Sequence, residues 1–199
     1  MMQIDLIKQS LEYISYFFAV IGFIGTVYKT VSIWKSMKYI SWNAVKKYIR
    51  KILKLIENDG FAPEIIVTVG RSGAIVGSMI SGNLSKANES ANIPILGCDR
   101  YFAWVNNVRV NIENNLIDFK LLSDKRVLLV VGDVSSGGTL AYFSEMILSN
   151  KPKELRTAAL VKSKITTAKP DYCGKTLPGD FIMPWVIDRK NYARDGRKP

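Results

Sequence analysis

The 199-residue chain has no histidine and only two cysteines, and residues 29–54 hold no aspartate or glutamate. Each absence removes a class of chemistry. Without histidine there is no Ser-His-Asp or Cys-His nucleophile system and no histidine-ligated zinc site. Cys98 and Cys173 lack CxxC spacing and read as two reduced thiols of a cytosolic domain, not as a disulfide or a metal pair. The GxxxxGK(S/T) phosphate loop is missing too. The acid-free stretch carries Lys29, Lys35, Lys38, Lys46, Lys47, Arg50, Lys51 and Lys54, so most of the net charge of +11 is local. The length suits one domain with a proper core and a short appendage.

Residues 11–34, LEYISYFFAVIGFIGTVYKTVSIW, are the most apolar part of the chain, and Tyr13 to Tyr28 are sixteen residues without a charge. Extended to Trp34, the run spans roughly 33 Å at about 1.5 Å per residue, enough for a hydrocarbon core of about 30 Å if Lys29 snorkels. Tyr13, Tyr16, Tyr28 and Trp34 sit near its ends, as interfacial aromatics do. The expectation is an N-terminal transmembrane helix over residues 1–34, with a buried or dimerising helix as the alternative. A cleaved signal peptide is disfavoured, because Glu12 precedes the run and no small-x-small site follows it. The basic flank predicts a single-pass topology with residues 35–199 in the cytoplasm.

After the apolar run, Ser41 suits an N-cap, and Val45, Ile49, Ile52 and Ile56 fall on one face of a helix over residues 41–58. Lys46, Lys47, Arg50 and Lys54 lie largely off that face, so the helix can dock by its apolar side. Its basic side, with the rest of residues 35–54, then faces either water or anionic lipid. Nucleic-acid binding is disfavoured for want of interleaved aromatics.

From Pro63 the chain alternates apolar strand-like runs, EIIVTV, IPILG, RVLLVV and LRTAALVK, with helix-like SGAIVGSMISGNL and TLAYFSEMILS; a polar stretch reaches to Asp118. Short continuous apolar runs between helices predict an α/β fold, Rossmann-like, with a parallel sheet buried on both faces. Binding sites in such sheets lie at the strands' carboxyl ends, here VGRSGA, VGDVSSGGT and LVKSK. Two of these are glycine-rich turns into helices, whose N–H groups hold anions. With Arg71 in the first and Asp133 in the second, they fit a ligand carrying two phosphate groups and a metal ion.

These motifs resemble the type I phosphoribosyltransferases, closest to the 6-oxopurine (hypoxanthine, guanine or xanthine) branch, over roughly Trp42 to Asp195. The resemblance implies that Arg71, Ser72 and Gly73 bind pyrophosphate and that Ser135, Ser136, Gly137, Gly138 and Thr139 cradle the ribose 5-phosphate. It implies Mg2+ as cofactor, held by Asp133 and Asp188, with Asp133 also at the ribose. The C-terminal segment AALVKSKITTAKPDYCGKTLPGDFIMPWVIDRKNYARD is similar to the family's purine site. By that likeness Lys162 bonds the 6-oxo group, Phe181 stacks on the base, the Ile182 backbone reads its edge, Asp188 lies near its exocyclic side, and Arg194 meets pyrophosphate. The signature also departs from the family: Gly132 stands at the first acidic position, the turn is one residue short, and Ser135 stands where an aspartate is expected.

Two functions follow. One is transfer of ribose 5-phosphate from phosphoribosyl pyrophosphate to a purine, with release of pyrophosphate, by a membrane-anchored and homo-oligomeric enzyme. The other is a catalytically weakened sensor or effector that binds the sugar pyrophosphate or a purine nucleotide at the membrane, for instance in a stress or defence system.

Overall fold

A computed structural model describes residues 16, 19–23, 25, 38–87, 93–105, 108–114, 118–178 and 181–186. The chain divides into two units, residues 1–38 and residues 39–199. In the first, residues 16, 19–23 and 25 are helical, and Tyr16, Val20, Ile21 and Phe23 are exposed. Among the described residues no helix is long and apolar enough to cross a membrane. Most of the expected span, residues 11–34, lies outside them.

The second unit is built on a six-stranded sheet. The elements in chain order are β1 (Lys38–Tyr39), α1 (Trp42–Asn58), β2 (Ile65–Val69), α2 (Gly70–Ala87), β3 (Ile95–Val105), β4 (Val108–Asn114), a 3-10 turn (Phe119–Leu122), β5 (Arg126–Val134), α3 (Gly138–Leu148), β6 (Glu154–Ser163), β7 (Tyr172–Leu177) and β8 (Phe181–Ile182). The sheet order is β4-β3-β2-β5-β6-β7, parallel throughout except for the antiparallel β3–β4 pair. The stretch read as merely polar up to Asp118 is therefore mostly strand. VRVNIEN alternates β-branched with polar residues and escapes a search for continuous apolar runs, while the aromatic-rich YFAWV before it has the composition of a strand; together they suit a hairpin.

Alternate residues of the sheet feed two cores. Ile66, Leu128, Val130, Ala158 and Leu160 pack on one side with Val45, Ile49, Ile52 and Ile56 of α1 and Val76 and Ile80 of α2. Val67, Leu129, Val131 and Ala159 pack on the other with Leu140, Phe143 and Ile147 of α3. That is the pleat at work: successive side chains point to opposite faces, so a buried strand must be apolar throughout. Ser41 caps α1 by accepting from the Ala44 N–H at 3.2 Å. Lys46, Lys47, Arg50, Lys51 and Lys54 are all exposed on its outer side. Cys98 on β3 and Cys173 on β7 form no disulfide, and three strands separate them, about 19 Å at about 4.8 Å per strand.

Candidate phosphate and base site

The order of connections fixes where a ligand can bind. From β2 the chain crosses through α2 to β3 on one side, and from β5 it crosses through α3 to β6 on the other. The connections thus diverge between β2 and β5, and a crevice opens at the carboxyl ends of these two central strands. The parallel register sets Val69 beside Val131, Asp133 beside Val161 and Val134 beside Lys162. Arg71 and Ser72, Asp133 and the following turn, and Lys162 are brought to one end of the sheet by this register alone.

No open loop follows β2. Gly70, at φ +65°, makes the turn in one residue, and α2 starts at once, so Arg71, Ser72 and Gly73 form its first turn. The unpaired N–H groups of that turn and the helix dipole face the crevice end. Arg71 is exposed and forms no ion pair among the described residues. The turn is pressed onto β5: a Cβ on Gly73 would come within 2.8 Å of the Val130 carbonyl oxygen, and a Cβ on Gly132 would collide with Ser72. Ser72 Oγ in turn accepts from the indole N–H of Trp185 at 3.0 Å. Gly132 therefore reads as the residue that lets α2 lie against β5, a function different from a vacated acidic position.

The second turn, residues 135–137, leads into α3. Gly137 is the N-cap, at φ +91°, and Ser136 Oγ accepts from the Gly138 N–H at 3.5 Å. The segment after β6 crosses close to it, since a Cβ on Gly137 would stand 2.5 Å from Ala168 Cβ. Gly138 and Thr139 are exposed in the first turn of α3; the Gly138 N–H is already held by Ser136 Oγ, and the Thr139 N–H, with no intrahelical partner in that turn, is the one offered to an anion. Asp133 is exposed at the end of β5, yet the crowding around it removes enough water to raise its carboxyl above the ordinary value, while a hydrogen bond from Ser135 pulls it down. Lys162 is half-buried and donates from Nζ to the Ala168 carbonyl at 3.5 Å.

Phe181 and Ile182 are both buried, in a short strand whose Ile182 carbonyl accepts from the Ile40 N–H at 3.0 Å. The Phe181 ring belongs to the core on the α1 side and is 9% exposed. Asp188 and Arg194 lie outside the described residues. Among the described residues there is no group of three or more carboxylates, cysteines or histidines that could hold a metal by itself.

The phosphoribosyl transferase domain model matches residues 38–188, more than half of the chain. The chain belongs to the phosphoribosyltransferase family. It is 28% identical over 81 residues to the hypoxanthine-guanine phosphoribosyltransferase of Bos taurus, an alignment covering 39% of this chain and 37% of that protein. The chain thus spans just over a third of the length of this curated relative. Among solved structures, a purine phosphoribosyltransferase from Pyrococcus horikoshii superposes with a TM-score of 0.62 at 24% identity, covering 75% of this chain and 94% of that one. A Neisseria gonorrhoeae protein crystallised with ppGpp gives 0.62 at 19%, covering 81% of this chain and 98% of that one. At these identities both likenesses concern the fold.

Within this phosphoribosyltransferase fold, Trp185, Thr166 and Ala168 border the site without having been singled out in the sequence. Only one overlooked contact had a local signal: a glycine inside a strand, as at Gly132, marks a close backbone approach.

Proposed function

We propose that this phosphoribosyltransferase-family chain binds phosphoribosyl pyrophosphate and transfers its ribose 5-phosphate to a 6-oxopurine, releasing pyrophosphate. The observation that carries the reading is the meeting of two helix N-termini, those of α2 and α3, at the crevice between β2 and β5. Such ends bind anions through free N–H groups and dipole, and two of them suit a sugar with phosphate at one end and pyrophosphate at the other. Gly138 and Thr139, with Ser135, Ser136 and Gly137, hold the 5-phosphate; Arg71 and the first turn of α2 hold the pyrophosphate. Lys162 serves the purine's oxo group once its bond to Ala168 is exchanged for one to the base. Phe181 contributes to base binding by backing the site from the core.

Asp133, an exposed carboxylate at the end of β5, fits Mg2+, because this ion keeps several waters and is commonly held by one or two carboxylates together with substrate phosphates; Asp188 is the second candidate by sequence. When bound, the ion would neutralise charge on the leaving pyrophosphate. The bond from the sugar carbon to pyrophosphate breaks, the bond to the purine nitrogen forms, and the proton that the purine gives up passes to water. Positioning and anion stabilisation supply most of the acceleration. Ser135 stands where a carboxylate would take up the purine proton. Loss of a general base typically removes about 10²- to 10⁴-fold, so turnover is slow.

The same reading tethers the domain to a membrane by residues 11–34, with the domain on the cytoplasmic side, the cations of residues 35–54 on anionic lipid, and several chains assembled as a homo-oligomer. Its support is the apolar, aromatic-flanked sequence and the exposed basic side of α1.

Titration calorimetry with phosphoribosyl pyrophosphate, with and without Mg2+, is the direct test, followed by pyrophosphate release with each 6-oxopurine. Gly137→Val places a side chain at φ +91° and against Ala168, and is expected to abolish binding of the sugar phosphate. Unchanged affinity in that variant would remove this turn from the site.

A further inference from the structure

We infer that Trp185 is a positioning residue for the pyrophosphate side of the site, acting through Ser72. The inference rests on the reading of α2's first turn as an anion site, and adds to it a residue from a distant part of the chain. An indole N–H can only donate, so the 3.0 Å contact has one polarity: Trp185 Nε1–H to Ser72 Oγ. Ser72 is held from two sides. Its Cβ abuts Gly132 on β5, where no side chain fits, and its hydroxyl is claimed by the indole. A serine fixed in this way fixes the first turn that carries it, and with it the direction of the free N–H groups and of Arg71.

Trp185 is itself well anchored. It lies just beyond buried Phe181, Ile182 and Met183, its turn is closed by a 3.2 Å bond from the Val186 N–H to the Met183 carbonyl, and its ring meets that of Trp42 at 5.8 Å between centroids. The clamp therefore runs from the start of α1 through the segment after β8 to the start of α2, and ends at the crevice between β2 and β5. Preorganised donors contribute more to binding than donors that must be ordered on arrival of the ligand, which is the advantage such a clamp confers.

The test uses the full chain and the variants Trp185→Phe, which keeps an aromatic ring but no N–H, Ser72→Ala, and the double variant. The probe is pyrophosphate with Mg2+, by calorimetry. Each single change is expected to weaken pyrophosphate binding about two- to tenfold, the range for one hydrogen bond. The double variant should be no weaker than the single ones, because the two groups act as a pair. Inorganic phosphate binding at the α3 turn should be unaffected. Full additivity, or equal loss at both anion sites, overturns the inference. Amide hydrogen exchange supplies a readout that needs no ligand: in Trp185→Phe the amides of residues 74–77, which bond back to the carbonyls of α2's first turn, should exchange faster, while those of residues 141–143 in α3 do not change. If the wild-type chain does not bind pyrophosphate, the functional reading of the α2 turn fails, and unchanged exchange at residues 74–77 separately overturns the clamp.

Discussion

Asp133 shows how one side chain can be costly to the fold and useful to a ligand. Crowding at the end of β5 raises its carboxyl above the ordinary 3.8, against the pull of the Ser135 hydrogen bond. A raised folded-state value means that the ionised form costs stability, and that the cost disappears as pH falls through that value. Asp133→Asn removes the charge at nearly constant shape. It should melt higher than the wild type at neutral pH, and the two melting temperatures should converge as pH is lowered toward 3.8. The same change removes the charged acceptor offered to a ribose hydroxyl or to Mg2+. Charged hydrogen bonds contribute about 1.5–3 kcal/mol, so affinity for the sugar pyrophosphate should drop about tenfold or more. Melting curves across pH, paired with calorimetry in Mg2+, check both halves. A variant that melts lower at neutral pH would show that the carboxylate is stabilising after all.

Between elements, the contact that decides most is α2 on β5. An aspartate at position 132 would restore an acidic pair in the sequence, but its Cβ meets Ser72, so the first turn of α2 has to move. Gly132→Asp alone is therefore expected to weaken pyrophosphate binding and lower the melting temperature. Ser135→Asp, at an exposed position of the α3 turn, should raise turnover by about 10²-fold, within the range for a positioned base, at some cost in phosphate affinity, because a carboxylate replaces a hydroxyl of the cradle. Single-turnover kinetics of the two variants separate these outcomes, and a faster Gly132→Asp enzyme with undiminished affinity would remove the steric argument. The elements themselves were largely legible. Ser41 with Val45, Ile49, Ile52 and Ile56 follows the 3.6-residue period, and the apolar runs at β2, β5 and β6 need no partner to be recognised as buried strands. Contacts set by strand order were not. That Gly132 faces Ser72 depends on β5 lying beside β2, and that Trp185 reaches Ser72 depends on closing a long stretch of chain; neither order nor closure is written in local pattern. The burial of Phe181 belongs to the same class, because it follows from β8 pairing next to Ile40.

At the scale of the whole molecule, charge and apolar surface are laid out along the chain in a consistent order: an apolar run, a basic run without acidic residues, then the phosphoribosyltransferase domain. The buried stripe of α1 holds it to the sheet, and Lys46, Lys47, Arg50, Lys51 and Lys54 are left on the outer side, with exposed Tyr39 and Trp42 at its start. Each cation near an anionic surface contributes about 1 kcal/mol, and that attraction decays over a Debye length of about 10 Å at 0.1 M salt. A tether and a charged face predict separable behaviours. The full-length chain should sediment with membranes and resist extraction by salt. A chain beginning at Lys35 should be soluble, retain affinity for vesicles containing phosphatidylserine at low salt, and lose it as ionic strength rises. Changing Lys46, Lys47, Arg50 and Lys54 to glutamine in the shortened chain should abolish the vesicle binding and leave calorimetric titration with the sugar pyrophosphate unaltered, since the site opens at the carboxyl ends of β2 and β5 and these cations do not line it. Full-length protein recovered in the soluble fraction of cells would sink the tether. Vesicle binding by the shortened chain that is indifferent to salt would instead assign its membrane affinity to apolar contacts, and remove the electrostatic role of α1.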